Sequence, residues 1–326
     1  MQDYPRLSWE GTPGQTIPTP TIDWFAGEGT EAIPYKIETA EQLVLLGSAG
    51  VFWDKQFILT ENLDMADYHL SPIGVCLGSG FGGKFDGQGH VISNLSFLVD
   101  QALSYYVGLF GQVESTGCIT DLQLDAVEIA FGDMGGQIGG LVGNSSGSVQ
   151  RCGVSGTITG KEGWRVGGLV GENSGSIEES YADVDLEIVD NSQAGGLVGS
   201  SEGEITNVYA TGRISTGQDS IWSGGLIGLL HGELTHGYAS GFVKGGKYVG
   251  GLVGNESFSN IIGCYFLAPE YGGGPDNEVG VSLSWTAMSQ PSSFKDWDFD
   301  EIWSACVGTD SPWLQWENRD CVQQTH

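Results

Sequence analysis

One phrase recurs along this chain and constrains it more than any other feature. It stands as VGLFG at 107–111, IGGLVG at 138–143, VGGLVG at 166–171, AGGLVG at 194–199, SGGLIG at 223–228 and VGGLVG at 249–254. The leucines at its centre are Leu109, Leu141, Leu169, Leu197, Leu226 and Leu252, spaced 32, 28, 28, 29 and 26 residues apart. A period on the order of 20–50 residues marks a solenoid, a propeller or an array. A single unit of that size leaves an apolar face open, so neighbours must stack to cover it.

The unit is not helical. Glycine makes up 54 of the 326 residues, and each glycine in a helix interior costs roughly 1 kcal/mol relative to alanine. Counting from each leucine, an apolar residue returns eight positions later: Val149, Ile177, Ile205 and Leu234. At plus eleven stand Cys152, Ser180, Val208 and Gly237, and at plus seventeen Ile158, Leu186, Ile214 and Val243. Short strands separated by turns fit this spacing, with glycine at the corners. The expected fold is all-β: a right-handed parallel β-helix with two or three short strands per coil.

The units resemble the GLUG-motif repeat of bacterial and archaeal extracellular proteins. IPYKIETAEQLVLLG (33–47) and FGGKFDGQGHVISNL (81–95) also resemble what precedes such repeats, so the likeness covers roughly residues 24–317. It implies an extracellular or cell-surface solenoid. It does not imply an activity, because such repeats occur in adhesins, in large surface proteins and beside catalytic domains.

The chain divides into an extended lead-in (1–23), an N-terminal cap with the first coils (24–106), the repeats (107–268), and a loop with a C-terminal cap (269–326). Thr39 and Gln42 form a capping-box pattern before LVLLG, which predicts a short helix over the first coil. Trp285, Trp297, Trp303, Trp313 and Trp316 predict an aromatic C-terminal cap; a sugar-binding cleft is the other reading. DYPRLSWE (3–10) matches DSPWLQWE (310–317) at five of eight positions. The second copy ends the module, and the first reads as the closing phrase of a preceding one, as in a tandem array.

The formal charge is −29, from 41 acids against 12 bases. That sign argues against nucleic acid as a partner. No apolar run approaches the roughly 18 residues needed to cross a membrane, and MQDYPRLSWE lacks the basic start and apolar core of a signal peptide. Of the six cysteines, Cys152 and Cys264 fall at equivalent positions four coils apart. At about 4.8 Å per coil they stand roughly 19 Å from each other, too far to bridge. Cys306 and Cys321 flank the tryptophan-rich segment, where a disulfide would fit. No zinc spacing is present.

In a solenoid, equivalent residues form files. If plus eleven, thirteen and seventeen point inward, plus twelve, fourteen and sixteen point outward. The plus-twelve file holds Tyr181, Tyr209, Tyr238 and, allowing one inserted residue, Tyr265. It is expected to be an aromatic ladder, either a stacking track for a polysaccharide or a self-stacked file under the C-terminal segment. Beside it lie Asp183 and Asp185, two apart on one strand. Their Cα separation of roughly 6.5–7 Å lies near that of the carboxyls in inverting glycosidases. Arg213 is expected on the next coil beside Asp185, as an ion pair. Calcium at Asp183/Asp185 or Glu178/Glu179 is the cofactor left open; no other is expected.

His231 and His236, with Arg213 and Tyr238, form the best constellation for a polysaccharide lyase. Phe131, Trp164, Trp222 and Tyr248 precede successive phrases, out of strict register. With Lys161, Arg165, Lys244 and Lys247 they suggest an edge suited to an acidic glycan; loop residues folded back over strand edges are the other reading. The reading favoured by the sequence is a non-catalytic module for adhesion, surface display or glycan binding. A polysaccharide hydrolase or lyase working along a lateral face is the alternative.

Overall fold

The structure, a computed structural model, describes residues 24–75, 79–99, 106–133, 136–190 and 192–321. The lead-in, Cys76 and His326 lie outside them. Nearly all the described secondary structure is β, in three sheets of parallel strands stacked coil on coil.

Each repeat supplies one strand to each of the two shorter sheets and one or two to the long sheet. In the coil of Leu169, Arg165–Gly167 lies in the first sheet, Val170–Asn173 in the second, and Ser176–Asp190 in the long sheet. The same register repeats up the stack, with Gly139 against Gly167, Val142 against Val170 and Val149 against Ile177.

The central leucines form the expected spine. All six are fully buried. Their backbones are hydrogen-bonded from coil to coil: the Leu141 amide donates to the Leu169 carbonyl (3.0 Å), Leu169 to Leu197 (3.0 Å), Leu197 to Leu226 (2.9 Å) and Leu226 to Leu252 (2.8 Å). A second inward file runs from Tyr35 through Phe57, Phe85, Ile119, Val149, Ile177, Ile205 and Leu234 to Ile261. Cys152 and Cys264 are free and buried, and burial pushes each thiol up to about 12.

The glycines of the phrase bring bare backbone against bare backbone. A Cβ on Gly139 would strike the Val142 and Leu169 carbonyl oxygens, and one on Gly171 would strike the Ile138 amide and the Gly143 carbonyl. The first and second sheets are thus too close for side chains between them, and only glycine fits.

The long strands turn a corner without breaking. Asp121, Arg151, Glu179, Asn207 and His236 each adopt a positive φ of 46–54°, and Gly263 follows at 60°. These left-handed residues stack as a file of their own. Non-glycine residues there carry strain, and each corner has a partner. Arg151 Nε and Nη2 donate to the two Asp121 oxygens at 2.6 and 2.7 Å, which holds the Asp121 carboxyl below its ordinary range.

The ends are covered as expected. Ala40–Ser48 is a helix with the Thr39/Gln42 capping box and buried Leu43 and Leu46. At the other end, Cys306 and Cys321 are disulfide-bonded, with Cα atoms 5.6 Å apart. Met288, Phe294, Trp297, Trp303 and Leu314 form a second apolar cluster there.

Candidate functional site

The tyrosine file exists, but it is not open. Tyr181 pairs with Tyr209, Tyr209 with Tyr238 and Tyr238 with Tyr265 across successive coils. The first two ring pairs are nearly parallel, with centroids 5.0 and 5.1 Å apart. Tyr209, Tyr238 and Tyr265 are buried, and Tyr181 alone is half-buried. The C-terminal segment lies over them. Tyr209 Oη donates to Glu317 (2.8 Å), Tyr238 Oη to the Pro312 carbonyl (2.6 Å), and Tyr265 Oη accepts from the Lys295 amide (2.8 Å). A polysaccharide stacking track along Tyr209, Tyr238 and Tyr265 is therefore corrected to a structural ladder: their faces are occupied by one another and by the cap.

The cap grips the corner file. Trp316 Nε1 donates to the Glu179 carbonyl (2.7 Å), Trp303 Nε1 to Asn207 Oδ1 (3.4 Å) and Trp297 Nε1 to the Gly263 carbonyl (2.8 Å). Each tryptophan reads a different left-handed corner. Sequence reasoning missed this, because nothing in a residue's identity announces its φ.

Asp183 and Asp185 do point outward on one strand and are exposed. Asp183 accepts from Thr211 Oγ1 (2.7 Å) and Asp185 from the Arg213 amide (2.7 Å). The Arg213 guanidinium lies 5.2 Å over the Phe242 ring. The expected Arg213–Asp185 ion pair is thus a backbone hydrogen bond, with the cation stacked elsewhere. Glu178 accepts from Gln150 Nε2 (3.2 Å). Among the described residues no group of three or more His, Cys, Asp or Glu is placed to hold a metal ion.

The lyase constellation does not come together. His231 sits exposed in a turn, where Nδ1 donates to the Ser257 carbonyl (3.1 Å). His236 is a corner residue whose ring is 6.1 Å from that of Trp297; burial lowers its pKa, opposed by Asp296. Tyr238 is sealed beneath the cap, and burial raises its phenol pKa.

The first sheet carries the open aromatics. Its outward file reads Tyr106, Gln137, Arg165, Gln193, Trp222 and Tyr248, one residue per coil. Trp222 and Tyr248 are in register after all, and Arg165 rather than Trp164 shares their file. Phe131 is excluded from this edge. It is buried, over the space left by Gly160. Trp164 is 52% exposed and Tyr248 48%. Arg165 lies 4.5 Å over the Trp164 ring, and Lys247 5.2 Å over that of Tyr248.

Polar groups fill the rest of this strip. Arg165 Nη1 donates to Glu172 (2.7 Å), Gln137 Nε2 donates to the same carboxylate, and Asn144 Nδ2 donates to Gln137 Oε1 (2.6 Å). Burial raises the Glu172 carboxyl and Arg165 opposes it. Two buried atoms in the file have no partner, Arg165 Nε and Gln193 Oε1.

A protein-family model described as the GLUG motif matches residues 162–187 and 190–215. Over 168 residues the chain is 31% identical to halomucin of Haloquadratum walsbyi, a match covering 48% of this chain and 2% of that protein. Over 133 residues it is 35% identical to a protein of Evansella cellulosilytica named "Putative Gly-rich membrane protein", covering 39% of this chain and 15% of that one. The chain thus spans a small part of the length of either relative. Among solved structures it is similar to one from Bacteroides ovatus named "putative immunoglobulin A1 protease". There the TM-score is 0.54 and the identity 18%, over 89% of this chain and 94% of that one. At that identity the likeness is one of fold.

Proposed function

We propose that this chain, a β-solenoid built on GLUG-motif repeats, is a non-catalytic surface module that binds glycan along its first sheet. The observation that carries the reading is the outward strip of Arg165, Gln193, Trp222 and Tyr248, flanked by Trp164 and Lys247. The exposed rings of Trp164 and Tyr248, with half-buried Trp222 between them, give sugar faces a surface to lie on. Amide and guanidinium edges between them supply hydrogen bonds. The names of two relatives, halomucin and "Putative Gly-rich membrane protein", support a surface location.

The ligand class follows from charge. Arg165 is committed to Glu172 and Lys161 to Asp133, and the whole chain carries −29. A polyanion would meet repulsion with few free cations to offset it. A neutral glycan is favoured over the acidic one suggested by the basic residues alone.

Glycan-array binding of the intact chain tests this. Trp164→Ala with Tyr248→Ala is expected to weaken binding to a neutral glycan about tenfold, the effect of losing a stacked aromatic contact, with no release of reducing ends or unsaturated product. Unchanged affinity in the double variant would remove the strip from the account.

A further inference from the structure

The last coil of the solenoid is left open over one of its strands. Asn260–Ile262 pairs with residues 233–235 of the coil before it. Among the described residues no strand pairs with its other edge. The rest of that coil is covered. Tyr265–Leu267 is paired by Val281–Leu283. The intervening loop serves the two shorter sheets: the Pro275 carbonyl accepts from the Gly251 amide, and Asn277 Nδ2 donates to the Val253 carbonyl (2.9 Å).

The open edge has hydrogen bonds to give. The Asn260 amide donates back to the Gly232 carbonyl (3.2 Å). Successive residues of a strand turn their peptide groups to opposite sides, so the Ile261 amide and carbonyl face out of the stack. An unpaired edge of this kind is a template for another chain.

The core is open at the same place. From Phe57 to Leu234 every member of the second inward file is buried, but its last member, Ile261, is only half-buried. Ile261, Ile262, Val279 and Val281 line a slot of about 560 Å³. Ile262, Val281 and, in the bend before the strand, Phe258 are exposed. Exposed apolar side chains gathered beside an unpaired edge mark an interaction surface.

Charge selects the occupant. Glu256, Glu278 and Asp296 also line the slot, against the single cation of Lys295, which lies 3.9 Å from Asp296. His236 adds no charge at neutral pH, because burial lowers its pKa. A second copy of this chain would bring a further −29 to an acidic slot, which repulsion disfavours. We infer that the slot receives an extended, basic segment of a partner protein, which adds a strand beyond Asn260–Ile262, lays an apolar side chain over Ile261 and sets lysine or arginine beside Glu256 and Glu278. Main-chain hydrogen bonds hold such a segment, and its alternating side chains give the selectivity.

Peptide binding to the complete chain tests this, read by amide hydrogen exchange at Ile261. The probe is acetyl-Lys-Thr-Val-Thr-Lys-amide. One control carries glutamate in place of both lysines; another is N-methylated at its three central residues and cannot pair. At saturation the lysine peptide is expected to slow exchange of the Ile261 amide at least about tenfold, because exchange follows the unpaired population. The N-methylated peptide should bind about tenfold more weakly, the effect of losing its edge hydrogen bonds. Glu278→Lys, on an exposed loop, should weaken the lysine peptide about fivefold and leave the unfolding midpoint unchanged. An Ile261 amide that exchanges as fast with the lysine peptide as without it overturns the inference. So does equal affinity for the lysine and glutamate peptides, or binding that survives N-methylation. Self-association of the chain alone, abolished by Ile262→Lys, would also overturn it, since a second copy would then be the occupant.

Discussion

Two files of aromatic side chains run along this solenoid and end in opposite environments. Tyr209, Tyr238 and Tyr265 face outward from the long sheet, yet they are buried because Trp297, Trp303 and Leu314 lie on them. Trp164 and Tyr248 stand at the edge of the first sheet and remain half exposed. The tyrosines stack in register coil on coil, whereas Tyr248 is in register with Arg165 and Trp164 stands one residue before that file. The difference is made by a segment far away in sequence. Periodicity decides which way a side chain points; only the tertiary fold decides what it meets. An aromatic file is therefore a functional surface only where the chain leaves it uncovered.

The comparison can be strained from its buried side first. Trp303 is fully buried between the ladder and the cap. Trp303→Ala is expected to cost about 3–5 kcal/mol, read by denaturant unfolding, and to expose the tyrosines to quenchers. A loss under about 1 kcal/mol would mean that the cap is loosely held.

Next comes the disulfide. Cys306 and Cys321 are 15 residues apart and enclose the closing segment 310–317. Cys306→Ser with Cys321→Ser should cost about 3 kcal/mol, the entropy of closing such a loop in the unfolded chain. Reductant should lower the unfolding midpoint of the natural chain and leave that variant unaffected.

A smaller effect is expected from pH. Burial raises the Glu317 carboxyl, against the Tyr209 and Leu314 hydrogen bonds and Arg319 that favour its charge. A carboxyl raised on folding binds its proton more tightly in the folded state, so stability rises as pH falls through the folded pKa. The gain should be complete below the ordinary value of 4.5. The natural chain should thus gain cap stability on mild acidification relative to Glu317→Gln. Parallel pH profiles for the two proteins would contradict this.

The smallest effect belongs to the open file. Trp164→Ala and Tyr248→Ala should each change stability by less than about 0.5 kcal/mol, as exposed sites do. Their effect is expected on ligand affinity instead.

The sequence carried the repeating frame well. Leu141, Leu169, Leu197 and Leu226 mark the spine, Val149 to Leu234 the second inward file, and Tyr181 to Tyr265 the ladder, even across its inserted residue. These are legible because coil stacking converts a sequence period into spatial neighbours. Three things were not. The corner file of Arg151, Glu179, Asn207 and His236 depends on backbone angles that no residue type there demands. Arg213 leaves Asp185 for Phe242 because the strand's own amide satisfies the carboxylate. Trp222 aligns with Arg165 instead of Trp164 because loop lengths vary between coils.

Hydroxyl-radical footprinting of the intact chain, read by mass spectrometry, compares the two files in one experiment. Trp164 and Tyr248 should be labelled rapidly, and Tyr209, Tyr238 and Trp303 should stay protected until the protein unfolds. Labelling of Tyr209 and Tyr238 as fast as that of Tyr248 would contradict the account, because the ladder would then be an open surface and the cap no cover at all.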